Sequence, residues 1–130
     1  MTRKILVAAA WPYANGSLHL GHVAALIGSD ILARYFRLSG DSVLFVSGSD
    51  CHGTPIAFEA DRQGIHPSEI ADKYHREFVK TLVDGLAFSY DVYTKTTTEN
   101  HYEVVQEIFL KLYRDGHIYT KTEELPYCGN

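Results

Sequence analysis

Apolar and polar positions follow one another along the chain in blocks whose period changes from element to element. Ile5 to Ala10 is an unbroken apolar run that follows Arg3-Lys4 and ends at Trp11-Pro12. Such a run predicts a short strand buried on both faces and stopped by the proline. Asn15-Gly16-Ser17 supplies turn chemistry, with Gly16 free to take positive φ. From His19 to Leu38, the apolar residues Leu20, Val23, Ala24, Ile27, Ile31, Leu32, Tyr35 and Leu38 recur at threes and fours, and Gly40 follows. That spacing predicts a long helix with a glycine stop. Val43 to Val46 reads as a second buried strand. Strand, long helix and strand together predict a right-handed βαβ unit with parallel strands.

Beyond it, Pro55 suits the first turn of a helix running to Gly64. Ser68 with Glu69 predicts the cap of another helix, on which Ile70, Tyr74, Phe78 and Leu82 form an apolar stripe up to Gly85. A stripe at that spacing belongs to a core rather than to a cofactor box. Tyr90 to Tyr93 is short, aromatic and strand-like, and Thr96-Thr97-Thr98 offers hydroxyls to cap a last helix through Arg114, with Val104, Ile108 and Leu112 on one face. Asp115-Gly116 ends it, and Ile118-Tyr119-Thr120 predicts a further strand. No repeat, low-complexity stretch or linker divides the chain. The expected fold is one α/β domain built on a Rossmann-like, doubly wound parallel sheet.

Composition narrows the class without changing that picture. With 130 residues, 45% hydrophobic and 22% charged, the chain can bury a core and lacks the polar bias of disordered sequences. A domain of this size folds without disulfide or metal staples, so Cys51 and Cys128 owe nothing to folding. Two separated cysteines, with no basic start leading into an apolar stretch, predict a reducing, cytoplasmic compartment. The longest nearly apolar run, Ile5 to Pro12, is far shorter than a membrane span. The net charge of −4, with Lys and Arg scattered among carboxylates, argues against general nucleic-acid binding. Contact with RNA then depends on residues outside this chain.

Candidate chemistry concentrates at the ends of the two strands. Trp11-Pro-Tyr-Ala-Asn-Gly-Ser-Leu-His-Leu-Gly-His22 delivers two imidazoles to the start of a helix directly after the first strand. In an α/β sheet that is the anion-binding position, where N–H groups and the helix dipole face the crevice. Two His three apart can both donate to a transferring group as negative charge grows on it, although such a pair also occurs as ordinary helix-end residues. Zinc is a poorer reading, since no third ligand stands at a supporting interval. After the second strand, Gly48-Ser-Asp-Cys-His-Gly-Thr-Pro55 puts Asp50 and His52 on the same sheet edge. Asp50 can hold an ammonium group there, or simply cap the helix that starts near Pro55. Cys51 beside that carboxylate has no base and reads as packing. His66, His75, His101 and His117 read as surface or packing residues.

Taken together, His19-Leu-Gly-His22, Pro12-Tyr-Ala-Asn-Gly16, Arg34-Tyr-Phe-Arg-Leu-Ser-Gly40, Gly48-Ser-Asp-Cys-His-Gly-Thr-Pro-Ile56, Phe88-Ser-Tyr-Asp91 and Phe109-Leu-Lys-Leu-Tyr113 resemble the class I aminoacyl-tRNA synthetases, most closely their methionyl branch. The resemblance implies that residues 1–130 are the N-terminal part of the catalytic Rossmann domain, with the connective insertion starting near residue 119. It implies activation of methionine with Mg2+-bound ATP and transfer to tRNA(Met). On that view His19 and His22 contact ATP phosphates, Asn15, Gly16 and Gly21 order the nucleotide, and Trp11, Pro12, Tyr13 and Asp50 line the amino-acid site, with His52 a further candidate. Tyr127-Cys-Gly129 resembles the entry to a Zn2+ knuckle with Cys128 as its first ligand, or is an unpaired terminal thiol.

Three departures leave alternatives open. Trp11 stands where methionyl enzymes usually carry Leu, and it either fills the thioether site or packs behind it. The Asp50-Cys-His-Gly53 order also resembles the isoleucyl enzyme, while Thr54-Pro-Ile56 points back to the methionyl one. The family's second signature, a Lys-Met-Ser-Lys-Ser type loop, has no counterpart in these residues, so they are expected not to charge tRNA by themselves. A non-catalytic module that binds a nucleotide or a partner protein is the rival reading.

Overall fold

The computed structural model describes residues 2–126. Its elements are β1 (Lys4–Ala8), α1 (Leu20–Leu38), β2 (Ser42–Ser49), α2 (Thr54–Gln63), α3 (Pro67–Phe78), β3 (Val92–Lys95) and α4 (Glu99–Arg114), with a π-helical segment, Val79–Gly85, continuing α3. The chain divides into two compact units, Met1–Thr98 and Glu99–Asn130. The first holds a parallel sheet in the order β1-β2-β3, with Leu6 opposite Leu44 and Val46 opposite Val92. Parallel neighbours need long crossovers, which α1 supplies for the first pair and α2 with α3 for the second.

Side-chain alternation puts Val7, Ala9, Phe45, Ser47 and Ser49 on one face of the sheet, where all are buried. Leu26 and Ala33 of α1, Leu82 of the π segment and Phe88 pack there. A second cluster joins Ala14 and Cys51 at the strand ends to Ile56, Ala60, Ile70, Ala71 and Phe78 of α2 and α3. The stripe expected of Ile70, Tyr74, Phe78 and Leu82 is therefore core. The opposite face departs from expectation. Leu6 is 65% and Leu44 49% exposed, so neither strand is buried on both sides. Within the first unit, α1, α2 and α3 lie against one face, whereas the sequence makes both faces apolar.

Other elements shift for local reasons. β2 extends past Val46 to Ser49 because Ser47, Gly48 and Ser49 pair with Tyr93, Thr94 and Lys95. β3 begins at Val92 rather than Tyr90. Tyr90 instead lays its ring 4.3 Å from that of Phe45, while the Asp91 carboxylate accepts the Phe45 N–H at 2.6 Å. The cap of α3 is His66, not Ser68: its Nδ1 accepts from Ser68 N–H while Glu69 accepts from the His66 N–H. Residues 117–126 form no strand, since no neighbouring strand in their unit offers a backbone partner. The Ile108 and Leu112 side of α4 is exposed.

Behind the sheet, a polar lash joins α1 to the approach to β3. Asp30 accepts the N–H and hydroxyl of Ser89 at 2.6 and 2.7 Å and Arg34 Nε at 2.6 Å. Arg34 donates in turn to the carbonyl of Ala87, which stands at φ +52°. Nearby, the Tyr90 hydroxyl is buried beside Ser47 without a hydrogen bond of ordinary geometry among the described residues. Burial, with Tyr93 adding to it and Ser47 opposing, pushes its phenol up to about 12. Tyr90→Phe keeps the ring contacts and removes a polar atom from the core, so its melting temperature should match or exceed the parent's. A fall of several degrees would show that the hydroxyl is bonded.

Candidate functional site

The site is assembled where β1 and β2 end. Beyond β1 the chain stays alongside β2: Asp50 N–H donates to Pro12 O at 2.9 Å and Ala14 N–H to Asp50 O at 2.8 Å, forming a Tyr13–Asp50 bridge. Tyr13 and Asp50 are thereby adjacent across one ladder step. Asp50 Oδ1 accepts the N–H of His52 at 3.1 Å. Its carboxylate does not cap α2, whose N-cap, Gly53, makes no side-chain cap bond.

The start of α1 is built from its two histidines. Gly21 N–H donates to His19 Nδ1 at 3.1 Å, and His19 N–H donates to His22 Nδ1 at 3.2 Å. The rings lie 3.9 Å apart, inclined at 42°. An Nδ1 that accepts a backbone hydrogen carries no proton, so each neutral ring bears its hydrogen on Nε2. Two Nε2–H donors are thus fixed in tautomer at a helix N-terminus. Gly21 is needed for this arrangement, because a Cβ there would stand 2.8 Å from His19 Cε1.

The same cap at α3 behaves differently. There Glu69 closes the box and brings a negative charge into the first turn. At α1 the corresponding residue is His22, and no acidic side chain lies in the first turn. The positive end of α1 is left uncompensated, which favours an external anion, whereas α3 supplies its own.

Trp11 lies over Gly48: a Cβ on that glycine would come within 2.7 Å of the indole and 2.5 Å of Thr94 O. Its position at the strand end therefore depends on a missing side chain in β2. Ala10, Trp11, Pro12, His22, Ala25 and Leu26 line an apolar recess of about 140 Å³. Asn15 and Gly16 are half-buried in the connection to α1. Cys51 is buried, and its thiol is pushed up, first by burial, which agrees with packing. Among the described residues no cluster of three or more His, Cys, Asp or Glu could hold a metal ion, and Cys128 lies outside the described residues. No described helix is long and apolar enough to cross a membrane.

Sequence reasoning missed three residues behind this edge. Ser49 Oγ is 2.9 Å from His75 Nδ1, and the Thr96 hydroxyl accepts the Cys51 N–H at 2.8 Å. Nothing in the spacing of Ser49 and His75 signals their contact; only the order of β2 and α3 brings it about.

A sequence model of the family described as tRNA synthetases class I (M) matches residues 5–130. The chain is 57% identical over 125 residues to a methionine–tRNA ligase of Bacillus cereus (strain 03BB102), covering 96% of this chain and 23% of that protein. Methionine–tRNA ligase 2 of Bacillus anthracis matches at the same identity and coverage. Among solved structures, the methionyl-tRNA synthetase of Mycobacterium tuberculosis in complex with methionyl-adenylate superposes with a TM-score of 0.84 at 29% identity, covering 88% of this chain and 22% of the other. The chain thus spans under a quarter of the length of these relatives.

Proposed function

The chain belongs to the methionyl family of class I tRNA synthetases, and from that premise we propose that it forms one part of the active site of a cytoplasmic enzyme that activates methionine with ATP and transfers it to tRNA(Met). The observation that carries this reading is the pair of tautomer-fixed Nε2–H donors at the uncompensated start of α1, the helix that follows the strand end where Tyr13 bridges to Asp50.

In the proposed reaction a methionine carboxylate oxygen attacks the α-phosphorus of ATP. The new O–P bond forms as the bond to the bridging oxygen breaks, and pyrophosphate leaves with that electron pair. His19 and His22 donate through Nε2 to phosphate oxygens whose charge rises during attack, and no protein nucleophile is required. Asn15, Gly16 and Gly21 shape the nucleotide side. Asp50 takes the ammonium of methionine, Tyr13 and Pro12 wall the side-chain pocket, and Trp11, seated on Gly48, forms its floor, with His52 at the rim. Mg2+ arrives on the nucleotide. The 130 residues carry only this part of the site and are inactive alone, and tRNA contacts lie elsewhere in the protein. Residues from about 119 onward begin the connective insertion in this reading, where Cys128 is a candidate Zn2+ ligand.

The test is amino-acid-dependent ATP–pyrophosphate exchange by the complete natural protein with methionine, isoleucine, leucine or valine. Exchange with methionine alone is expected. Exchange with isoleucine would replace the proposal with the isoleucyl reading, and none with any amino acid would replace it with a non-catalytic module.

A further inference from the structure

Asp50 is flanked on both sides by residues anchored from elsewhere in the fold. On one edge its own backbone bonds to Pro12 and Ala14 beyond β1. On the other, Thr96 at the end of β3 reaches its two neighbours: Thr96 N–H donates to Ser49 O at 3.1 Å, and Thr96 Oγ1 accepts from Cys51 N–H at 2.8 Å. The Ser49 side chain, fully buried, is directed into α3. Its Oγ lies 2.9 Å from His75 Nδ1 and 3.4 Å from the Tyr93 hydroxyl.

His75 is itself braced. Its ring stacks on Tyr93 with 6.0 Å between centroids and 16° between planes, and the neighbouring Lys95–Asp72 pair, 2.5 Å long, ties the end of β3 to α3. Burial, then Lys95 and, more weakly, Arg76, hold the imidazole below its usual range against Asp72. A neutral ring is suited to sharing a proton with a buried hydroxyl. The bonds around Asp50 thus come from side chains of α3 and β3 as well as from the parallel ladder. Ladder pairing alone fixes a strand end less well than bonds made by buried side chains on a packed helix.

We propose that Ser49, His75 and Thr96 are positioning residues of the amino-acid site, which hold the backbone on either side of Asp50 so that its carboxylate meets the ammonium of the incoming amino acid. This rests on the reading of Asp50 as the ammonium partner. The three residues touch neither substrate nor nucleotide in this scheme; they act through Asp50. Because ammonium recognition depends on a carboxylate placed to within a fraction of an ångström, loosening its flanks should weaken amino-acid binding and spare ATP.

The experiment is pyrophosphate exchange by the complete enzyme carrying Thr96→Val, Ser49→Ala, His75→Asn or His75→Phe, with thermal unfolding of each. Thr96→Val and Ser49→Ala are expected to raise KM for methionine by about tenfold while KM for ATP stays within about twofold. His75→Asn, which keeps a polar atom near Nδ1, should lie closer to the parent than His75→Phe. Thr96→Val is nearly isosteric and keeps the proposal exposed even if His75→Phe fails to fold. Unchanged KM for methionine in folded Thr96→Val and Ser49→Ala, or equal rises for both substrates, would overturn it. Asp50→Asn separates the two levels: if it raises KM for methionine and the flanking variants do not, positioning fails alone. If Asp50→Asn leaves that KM unchanged, the reading of Asp50 fails as well.

Discussion

His22→Ala in the complete enzyme is expected to lower kcat and kcat/KM of methionine-dependent exchange together, by about two to three orders of magnitude. In the proposed reaction the Nε2–H of His22 is a donor whose value grows as charge gathers on phosphorus, and an interaction made chiefly in the transition state affects both constants alike. Its ring has a second duty, since Nδ1 accepts the His19 N–H at the helix start. Loss of a helix cap alone costs about 1 kcal/mol of stability and has no reason to slow chemistry a hundredfold. The two duties come apart in His22→Asn, whose Oδ1 can accept the same N–H while its shorter side chain cannot reach where Nε2 stood. Asparagine should therefore restore the melting temperature lost in alanine and leave exchange as slow. If asparagine restores the rate instead, His22 serves the helix and not the phosphate.

The sequence made some parts of this site legible and hid others for physical reasons. Helix α1 could be read to within a residue because nineteen residues of three-and-four spacing outweigh local ambiguity. Its cap could not be read so simply. Hydroxyl and carboxylate residues are the usual N-caps, so Thr and Ser drew attention at α3 and α4, yet at α1 and α3 a histidine Nδ1 takes the role. The first two strands lie where the pattern put them but are not buried as it implied, and the strand expected at Ile118-Tyr119-Thr120 does not form. An apolar run encodes how many faces a strand covers in the whole protein, and Leu6 and Leu44 stand on the face that α1, α2 and α3 leave open. Asp50 could be singled out by its position after β2, whereas the partners of its flanks lie 26 and 45 residues from Ser49 and Cys51. Such separations leave no local trace in the pattern. The seat of Trp11 on Gly48 was equally hidden, because a glycine in a strand signals a close approach without naming what approaches.

The largest expected loss of local stability comes from Asp30→Ala. Asp30 is nearly buried, its side chain 9% exposed, whereas that of its partner Arg34 is 50% exposed. Removing the carboxylate leaves Arg34 solvated, so the cost falls on Ser89, whose N–H and hydroxyl lose a charged acceptor in a part-buried setting. Two charge-assisted bonds set that cost at about 3 kcal/mol, less than the removal of half of a fully buried ion pair. Amide exchange in the complete protein should read this as exchange about a hundredfold faster across 87–91, where Ala87 is held at φ +52°. Asp30→Asn keeps an acceptor for Ser89 and should lose less. The pH dependence has a definite sign. Burial pushes the Asp30 carboxyl up, but the bonds from Ser89 and the attraction of Arg34 outweigh it and hold it below its ordinary 3.8. A carboxylate depressed in the folded state stabilises it above the unfolded value and loses that contribution as pH falls through the folded one. Protection of 87–91, corrected for intrinsic exchange, should therefore decline in the parent as pH drops below about 4 and stay flat in Asp30→Asn. A parallel decline in both would show that the lash draws its strength from neutral hydrogen bonds, with the charge on Asp30 adding nothing.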